Sequence, residues 1–161
     1  MVKSLSLVLT AAFLFAACGR PEREFTEADI IRIDRDVRIL IDGVADDLGR
    51  RGPIAWLDHF HYAPSFFMAS DGQIVFEDID AAVTFVESFA PTIEAMSLDW
   101  IDVRVDPLEE GMAVVGASYE ESLTDTTGVV NSFSGFFSAL AVEAGNGWKL
   151  RSLHWSSPDA E

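Results

Sequence analysis

The segment from Asn146 to Ser157 constrains the fold most, because it joins a tight turn to a regular alternation of side chains. Asn146-Gly147 is a strong hairpin signal, and a strand is expected to follow it. Alternation puts one set of its side chains on one face, Trp148, Leu150, Ser152, His154 and Ser156. The other face then carries Lys149, Arg151, Leu153 and Trp155. Both faces hold large apolar groups, so we expect this last strand to be covered on both sides.

Length and charge limit the class of protein. The chain has 161 residues, 49% of them hydrophobic, which suits one domain with a substantial core. Its formal net charge is −16, and so acidic a chain repels phosphate backbones. Nucleic acid is therefore not an expected partner. A cationic ligand is compatible with the charge, although acidity more often serves solubility alone.

The N-terminus is typical of a secreted protein. A basic start precedes an apolar run from Leu5 to Phe15, which is too short to span a bilayer. The following Ala16-Ala17-Cys18 resembles the lipobox, although Phe15 stands where Leu, Val or Ile is usual. The resemblance implies a signal peptide over residues 1–17, lipid attachment at Cys18 and a tether over 18–25. An ordinary secretory signal with a chance cysteine is the alternative.

The residue after the cysteine bears on location. By the sorting rule of such lipoproteins, Gly19 rather than Asp implies the outer membrane of a Gram-negative cell, facing the periplasm. Cys18 is the only cysteine, so a disulfide within one molecule is excluded.

Three helices are predicted before the sheet. Thr26 is a helix cap with Asp29 three residues later, and apolar side chains recur from Ile30 to Leu48 at helical spacing. Pro53 opens a short second helix that Pro64 stops. Asp78 or Asp80 caps a third, which ends near Pro91.

A hairpin over 65–69 and 73–76 is predicted between the second and third helices. Four longer strand-like runs follow the third helix and cover 97–106, 112–123, 129–143 and 148–156. Their short connections require antiparallel neighbours. The predicted fold class is therefore α+β, with three N-terminal helices and a hairpin packed on a curved antiparallel sheet.

Motifs at both ends of residues 26–157 resemble a known family, and the tail over 158–161 lies beyond them. The element order, Trp56-Leu57-Asp58-His59-Phe60 and the terminal Gly147, Trp148, Leu150, His154 and Ser156 are similar to the nuclear transport factor 2-like superfamily, and to SnoaL-like domains within it. This resemblance implies a cone with a pocket between sheet and helices, and a homodimer through the sheet's outer face. Members include ketosteroid isomerase, scytalone dehydratase, polyketide cyclases and proteins without a known reaction, so the fold assigns no activity.

Three residues are candidates for acid–base catalysis. His154 shares its predicted face with Trp148 and Leu150, and is either a general base or a structural histidine with a hydrogen-bond partner. Tyr62 could hold a ligand oxygen, as the resemblance to ketosteroid isomerase implies. Glu121 shares a strand face with Tyr119, and burial would raise its pKa if that face is the inner one. The pattern leaves that face open.

Further residues are expected to form the pocket without doing chemistry. The predicted pocket residues are Trp56, Phe60, Tyr119, Trp148 and Leu150. No cofactor or metal is expected, since no Gly-rich phosphate loop occurs in the sequence and His59 and His61, two apart, do not share a helix face.

Two functions remain open from the sequence. The chain is a membrane-anchored domain that binds a small apolar ligand, or a cofactor-free enzyme of the isomerase, cyclase or dehydratase kind. Leu153 and Trp155 on the predicted outer face, and the opposed neighbours Phe136 and Phe137, also favour a homodimer across the sheet.

Overall fold

A computed structural model describes residues 24–158, and a long helix over Glu27–Arg51 opens that part of the chain. Its capping box is confirmed: the Thr26 hydroxyl accepts a hydrogen bond from the Asp29 backbone at 3.3 Å, and the Asp29 carboxylate accepts one from the Thr26 backbone at 3.1 Å. The apolar stripe of the helix is buried from Ile33 to Leu48, as expected, whereas Ile30 at its start is exposed.

Two helices, rather than the predicted three, pack on the sheet. The other is a short helix over Ile79–Phe89, capped by Asp78, whose carboxylate accepts a hydrogen bond from Ala81 at 2.8 Å. The predicted second helix is only a 3-10 turn over Gly52–Ala55 and one α-helical turn over Trp56–His59. It stops early because Phe60 takes extended backbone geometry and pairs with the last strand.

Six strands form one mixed sheet. In chain order they are β1 (Phe67–Ser70), β2 (Gln73–Phe76), β3 (Ile93–Glu109), β4 (Met112–Asp125), β5 (Val130–Ala144) and β6 (Gly147–Ser156). Their order in the sheet is β2-β1-β6-β5-β4-β3, and the antiparallel meander of β3 to β6 is confirmed.

The expectation of an entirely antiparallel sheet is wrong at one pairing, because β1 pairs with β6 in parallel. Just before β1, Phe60 already lies parallel to β6, and the His61 backbone donates to the Leu150 carbonyl at 2.7 Å. The chain therefore enters β1 along β6 in the same direction.

The main core lies between the long helix and the inner face of the meander. Two hydrogen bonds fasten β3 to that helix: Trp100 Nε1 donates to the Ile41 carbonyl at 3.0 Å, and the Arg38 guanidinium donates to the Val103 carbonyl at 3.1 Å. Between these points β3 carries an extra residue, and Asp102 has a φ of 52°. A bulge of this kind bends the strand.

A second bulge overturns the alternation predicted for β6. Leu140 of β5 lies opposite Ser152, but the next residue, Ala141, lies opposite Leu150, so Arg151 is one residue too many. An extra residue moves every later side chain to the other face. Leu153 and Trp155 therefore point inward, whereas His154 is exposed on the outer face. The predicted faces of these three residues are wrong.

The membrane predictions lie elsewhere in the chain. The signal peptide over 1–17, Cys18 and most of the tether lie outside the described residues. Within residues 24–158, no helix combines the length and apolar character needed to cross a membrane.

Candidate functional site

A cavity of about 440 Å³ lies between the short helix, the β1–β2 hairpin and the inner face of the meander. Eight of its nineteen lining residues are aromatic, which makes it an apolar site of small-molecule size. The lining residues are Pro53, Trp56, Phe60, Met68, Ser70, Asp71, Val75, Phe76, Phe85, Val86, Phe89, Met96, Tyr119, Glu121, Leu123, Phe133, Leu153, Trp155 and Ser157.

Trp155 is the aromatic centre of the wall. Its ring meets Tyr119 and Trp56 edge-on, at centroid distances of 4.7 and 5.8 Å. Behind it lie Phe137 at 4.6 Å and Trp100 at 5.8 Å. These contacts on several sides hold the indole in one orientation.

The rim of the cavity is also apolar. Phe85 and Phe89 of the short helix stack at 5.4 Å, and Phe85 also contacts Phe76 at 5.2 Å. Phe85 is 47% exposed, and Phe133 on the opposite side is 46% exposed. A ligand would therefore meet aromatic surface before it reaches the interior.

Glu121 is the carboxylate in the cavity wall, and its orientation settles the face that the sequence left open. It lies on β4 between Leu98 of β3 and Phe133 of β5, and it shares the inner face with the buried Tyr119. The Glu121 carboxylate makes no hydrogen bond or ion pair within residues 24–158. Burial among these neighbours raises the pKa of its carboxyl to about 7.

Asp71 is a second carboxylate on the cavity, at the turn between β1 and β2. Its φ of 48° is left-handed, which a short polar side chain tolerates. The Ser157 backbone donates to its carboxylate at 2.8 Å, and the Ser70 hydroxyl donates at 3.0 Å. These hydrogen bonds hold the pKa of Asp71 below its usual range, so it is ionised at neutral pH.

The predicted pocket residues fall into two groups. Trp56, Phe60 and Tyr119 line the cavity. Trp148 and Leu150 are buried in the core, and they do not line it.

Of the three candidate catalytic residues, only Glu121 faces the cavity. His154 is on the outer face of the sheet because of the bulge at Arg151. Tyr62 is 61% exposed beyond the helical turn, where its partial burial and the Asp58 carboxylate raise the pKa of its phenol.

His59, the last residue of the helical turn, has a structural setting. His59 is buried, and its Nε2 lies 3.0 Å from the Asp47 carboxylate of the long helix. Burial lowers the pKa of His59 despite this partner. Across residues 24–158, no three His, Cys, Asp or Glu side chains are grouped as a metal site.

Sequence reasoning misses several wall residues. In the sequence, the position of Asp71 in a turn is enough to explain it. Strict alternation along the last strand predicts that Trp155 lies on the outer face of the sheet, away from the cavity. Phe85 and Phe89 could have been found from the sequence, because they are four residues apart and so share one face of a short helix. Two aromatic rings on one face indicate that this face lies against other apolar groups.

Neither a family model nor a curated protein sequence matches the chain. Solved structures match it over most of its length. A nuclear transport factor 2-like superfamily protein from Salmonella enterica serovar Typhimurium has a TM-score of 0.66 at 14% identity, over 81% of this chain and 94% of its own. A proposed dehydratase of the same family from Streptomyces avermitilis has a TM-score of 0.66 at 13% identity, covering 81% of this chain and 99% of its own.

A third match is a nuclear transport factor 2-like protein of unknown function from Shewanella oneidensis. Its TM-score is 0.58 at 14% identity, over 76% of this chain and 98% of its own. At such low identity these matches establish the fold alone. The chain has the nuclear transport factor 2-like fold, with two helices on a six-stranded mixed sheet.

Proposed function

We propose that this domain binds a small, largely apolar ligand in the aromatic cavity, and that lipid on Cys18 holds it at the outer membrane. The cavity supports the proposed ligand binding. Its volume of about 440 Å³ is in the usual range for small-molecule sites. The aromatic rim at Phe85 and Phe133 gives such a ligand a path to the interior.

Binding can be tested with N-phenyl-1-naphthylamine, a neutral dye that becomes fluorescent in apolar surroundings. Leu123 lies on the cavity wall, so Leu123→Trp should fill part of the space and weaken dye binding at least about tenfold. Val114 is 41% exposed on the outer face, and Val114→Trp is the matched control that should bind as the wild type does. Thermal melts establish that both variants are folded. Equal binding by the wild type and folded Leu123→Trp would contradict the proposal.

A second candidate function, cofactor-free proton transfer, is favoured by Glu121. A carboxyl whose pKa is about 7 is well suited to act as a general base at neutral pH. Tyr119 lines the same cavity two residues away, so its phenol could donate to a substrate oxygen. Some proteins of similar fold are named as proposed dehydratases, but at 13% identity they supply no residue assignment.

This chemistry can be measured with a generic carbon acid, 2-acetylnaphthalene, in D2O. Proton NMR would follow exchange of its methyl protons. A base at Glu121 predicts saturable exchange that Glu121→Gln lowers about a hundredfold or more. An exchange rate equal to that of buffer alone in the wild type would reject the enzymatic candidate and leave ligand binding standing.

A further inference from the structure

The charged side chains on the cavity wall all have the same sign. Asp71 and Glu121 are acidic, and among the described lining residues none is Lys, Arg or His. Hydrogen bonds from Ser70 and Ser157 stabilise the Asp71 carboxylate. The cavity wall therefore presents negative charge with no cationic side chain of the described residues on it, although His154 on the outer face helps to lower the pKa of Asp71.

Glu121 has nothing comparable to stabilise its charge. It lies between Leu98 and Phe133, and no hydrogen bond or ion pair within residues 24–158 reaches its carboxylate. Taking a carboxylate out of water into an apolar site is unfavourable unless a counter-charge or hydrogen bonds replace the water. The group that would best complement this position is a cation carried by a ligand.

The aromatic wall fits the same kind of ligand. Tyr119 is two residues from Glu121 on the same strand face, and Phe133 is its direct cross-strand neighbour. Trp155 packs against Tyr119 at 4.7 Å. Aromatic rings attract cations through their electron-rich faces, and they also hold the apolar part of a ligand.

We propose that the ligand of this cavity is an amphiphilic amine, with an aromatic or aliphatic body in the aromatic wall and its ammonium group against Glu121. This inference rests on the proposed ligand-binding function and names its ligand class. An anionic ligand of the same shape would meet Glu121 and Asp71 with like charge, and a neutral one would leave Glu121 without a partner.

Three probes of one shape can test this with the purified full-length chain. They are naphthalen-2-ylmethylamine, the neutral naphthalen-2-ylmethanol and the anionic naphthalene-2-carboxylate. Calorimetry, or quenching of tryptophan fluorescence, gives their affinities. At about pH 8 we expect the amine to bind at least about tenfold more tightly than the alcohol, and the carboxylate to bind most weakly.

The pH dependence of amine binding identifies the carboxylate. The titratable groups around the Glu121 side chain are Tyr119 and Asp71 on the cavity, with Asp99 and Glu120 on the other side of the sheet. With a pKa of about 7 at Glu121, amine affinity should fall about thirtyfold from pH 8 to pH 5.5. Alcohol affinity should not follow this curve, because no ion pair forms.

Two variants complete the test. Glu121→Gln should reduce the preference for the amine to about threefold or less and remove the pH dependence, while the alcohol binds at least as tightly as it does to the wild type. Glu120 is an exposed neighbour on the outer face, so Glu120→Gln should keep both the preference for the amine and its pH dependence. If the alcohol binds as tightly as the amine, the cation proposal fails and ligand binding stands. If no probe binds, both fail, and an amine preference that survives in Glu121→Gln overturns the assignment to Glu121.

Discussion

Glu121 couples the stability of the fold to pH, because its carboxyl is harder to ionise in the folded protein than in the unfolded chain. Burial raises its pKa from 4.5 to about 7, so folding favours the protonated form. The stabilisation is fully present below the unfolded pKa and is lost as the pH rises through the folded pKa. The difference corresponds to about 3 kcal/mol.

Glu121→Gln should remove this dependence, since the amide does not ionise. We expect the variant and the wild type to have similar free energies of unfolding near pH 4.5, with the variant about 3 kcal/mol more stable near pH 8. Urea unfolding across this range measures the difference. Glu120→Gln is the matched control without the effect, because its side chain is exposed. Parallel stability curves for wild type and Glu121→Gln would contradict the prediction.

His154 and Trp155 are adjacent, and the bulge at Arg151 gives them opposite roles. Trp155 packs against four aromatic rings, so Trp155→Ala should lower the free energy of unfolding by about 3–5 kcal/mol. His154→Ala should change it by less than about 0.5 kcal/mol and leave dye binding intact. Chemical denaturation of the two variants provides the test. The reverse ranking would mean that β6 keeps strict alternation.

At the scale of elements, the pairing of β5 with the end of β6 depends on a glycine. A Cβ added to Gly135 would lie 1.9 Å from the Ser156 carbonyl oxygen, so β5 and the end of β6 approach too closely for any side chain there. Gly135→Ala should cost about 2 kcal/mol or more and weaken dye binding, because Trp155 and Ser157 belong to the displaced segment.

Gly49→Ala is the control for this substitution. Gly49 lies in the long helix, and the space that a Cβ would occupy there is open, so alanine should raise the free energy of unfolding by about 0.5–1 kcal/mol. Thermal melts of both variants measure the contrast. Equal effects at the two positions would show that the close approach at Gly135 has no energetic weight.

Much of the element order is predictable because it depends on local signals. The capping box at Thr26, the turn before Gln73 and the short connections between the long strands all leave marks in neighbouring residues. The helix predicted from Pro53 fails because Phe60 pairs with Leu150, ninety positions along the chain. A local pattern carries no information about such a partner.

The site is less predictable, because one residue decides which face of β6 meets the cavity. Nothing in the type of Arg151 marks it as a bulge, and strict alternation then assigns His154, Leu153 and Trp155 to the wrong sides. Glu121 emerges as a candidate from its spacing to Tyr119. Its orientation, however, depends on the register of three strands.

At the scale of the whole molecule, the homodimer remains a prediction, but its interface would be formed by other residues than those expected from the sequence. Leu153 and Trp155 point inward, whereas the outer face exposes Ile101, Val114 and Phe136, the last 48% exposed. If copies pair through this face, Phe136→Glu should convert dimer to monomer in sedimentation. Ile39→Glu, at a 63% exposed position on the long helix, should not. A wild type that is monomeric at tens of micromolar, where an interface of about −7 kcal/mol would hold, rules the dimer out.

Membrane attachment is tested separately, through Cys18. Cells fed a clickable fatty acid should label the wild type and fail to label Cys18→Ser, because the thiol is the proposed attachment point. Gel fluorescence after the click reaction measures this. Equal labelling of both chains, or a mature protein beginning at another residue, contradicts lipidation.

The parallel pairing of β1 with β6 sets the order in which the molecule can be completed. Ala69 lies opposite His154, so β1 pairs with a strand that is made eighty-five positions later in the chain. Contacts this distant in sequence form slowly during folding. Until β6 has left the ribosome, the hairpin lacks this neighbour and the aromatic wall lacks Trp155. A nascent chain therefore stays open until β6 has been made, which is the state that a protein must keep if it is to be threaded through a membrane before it folds.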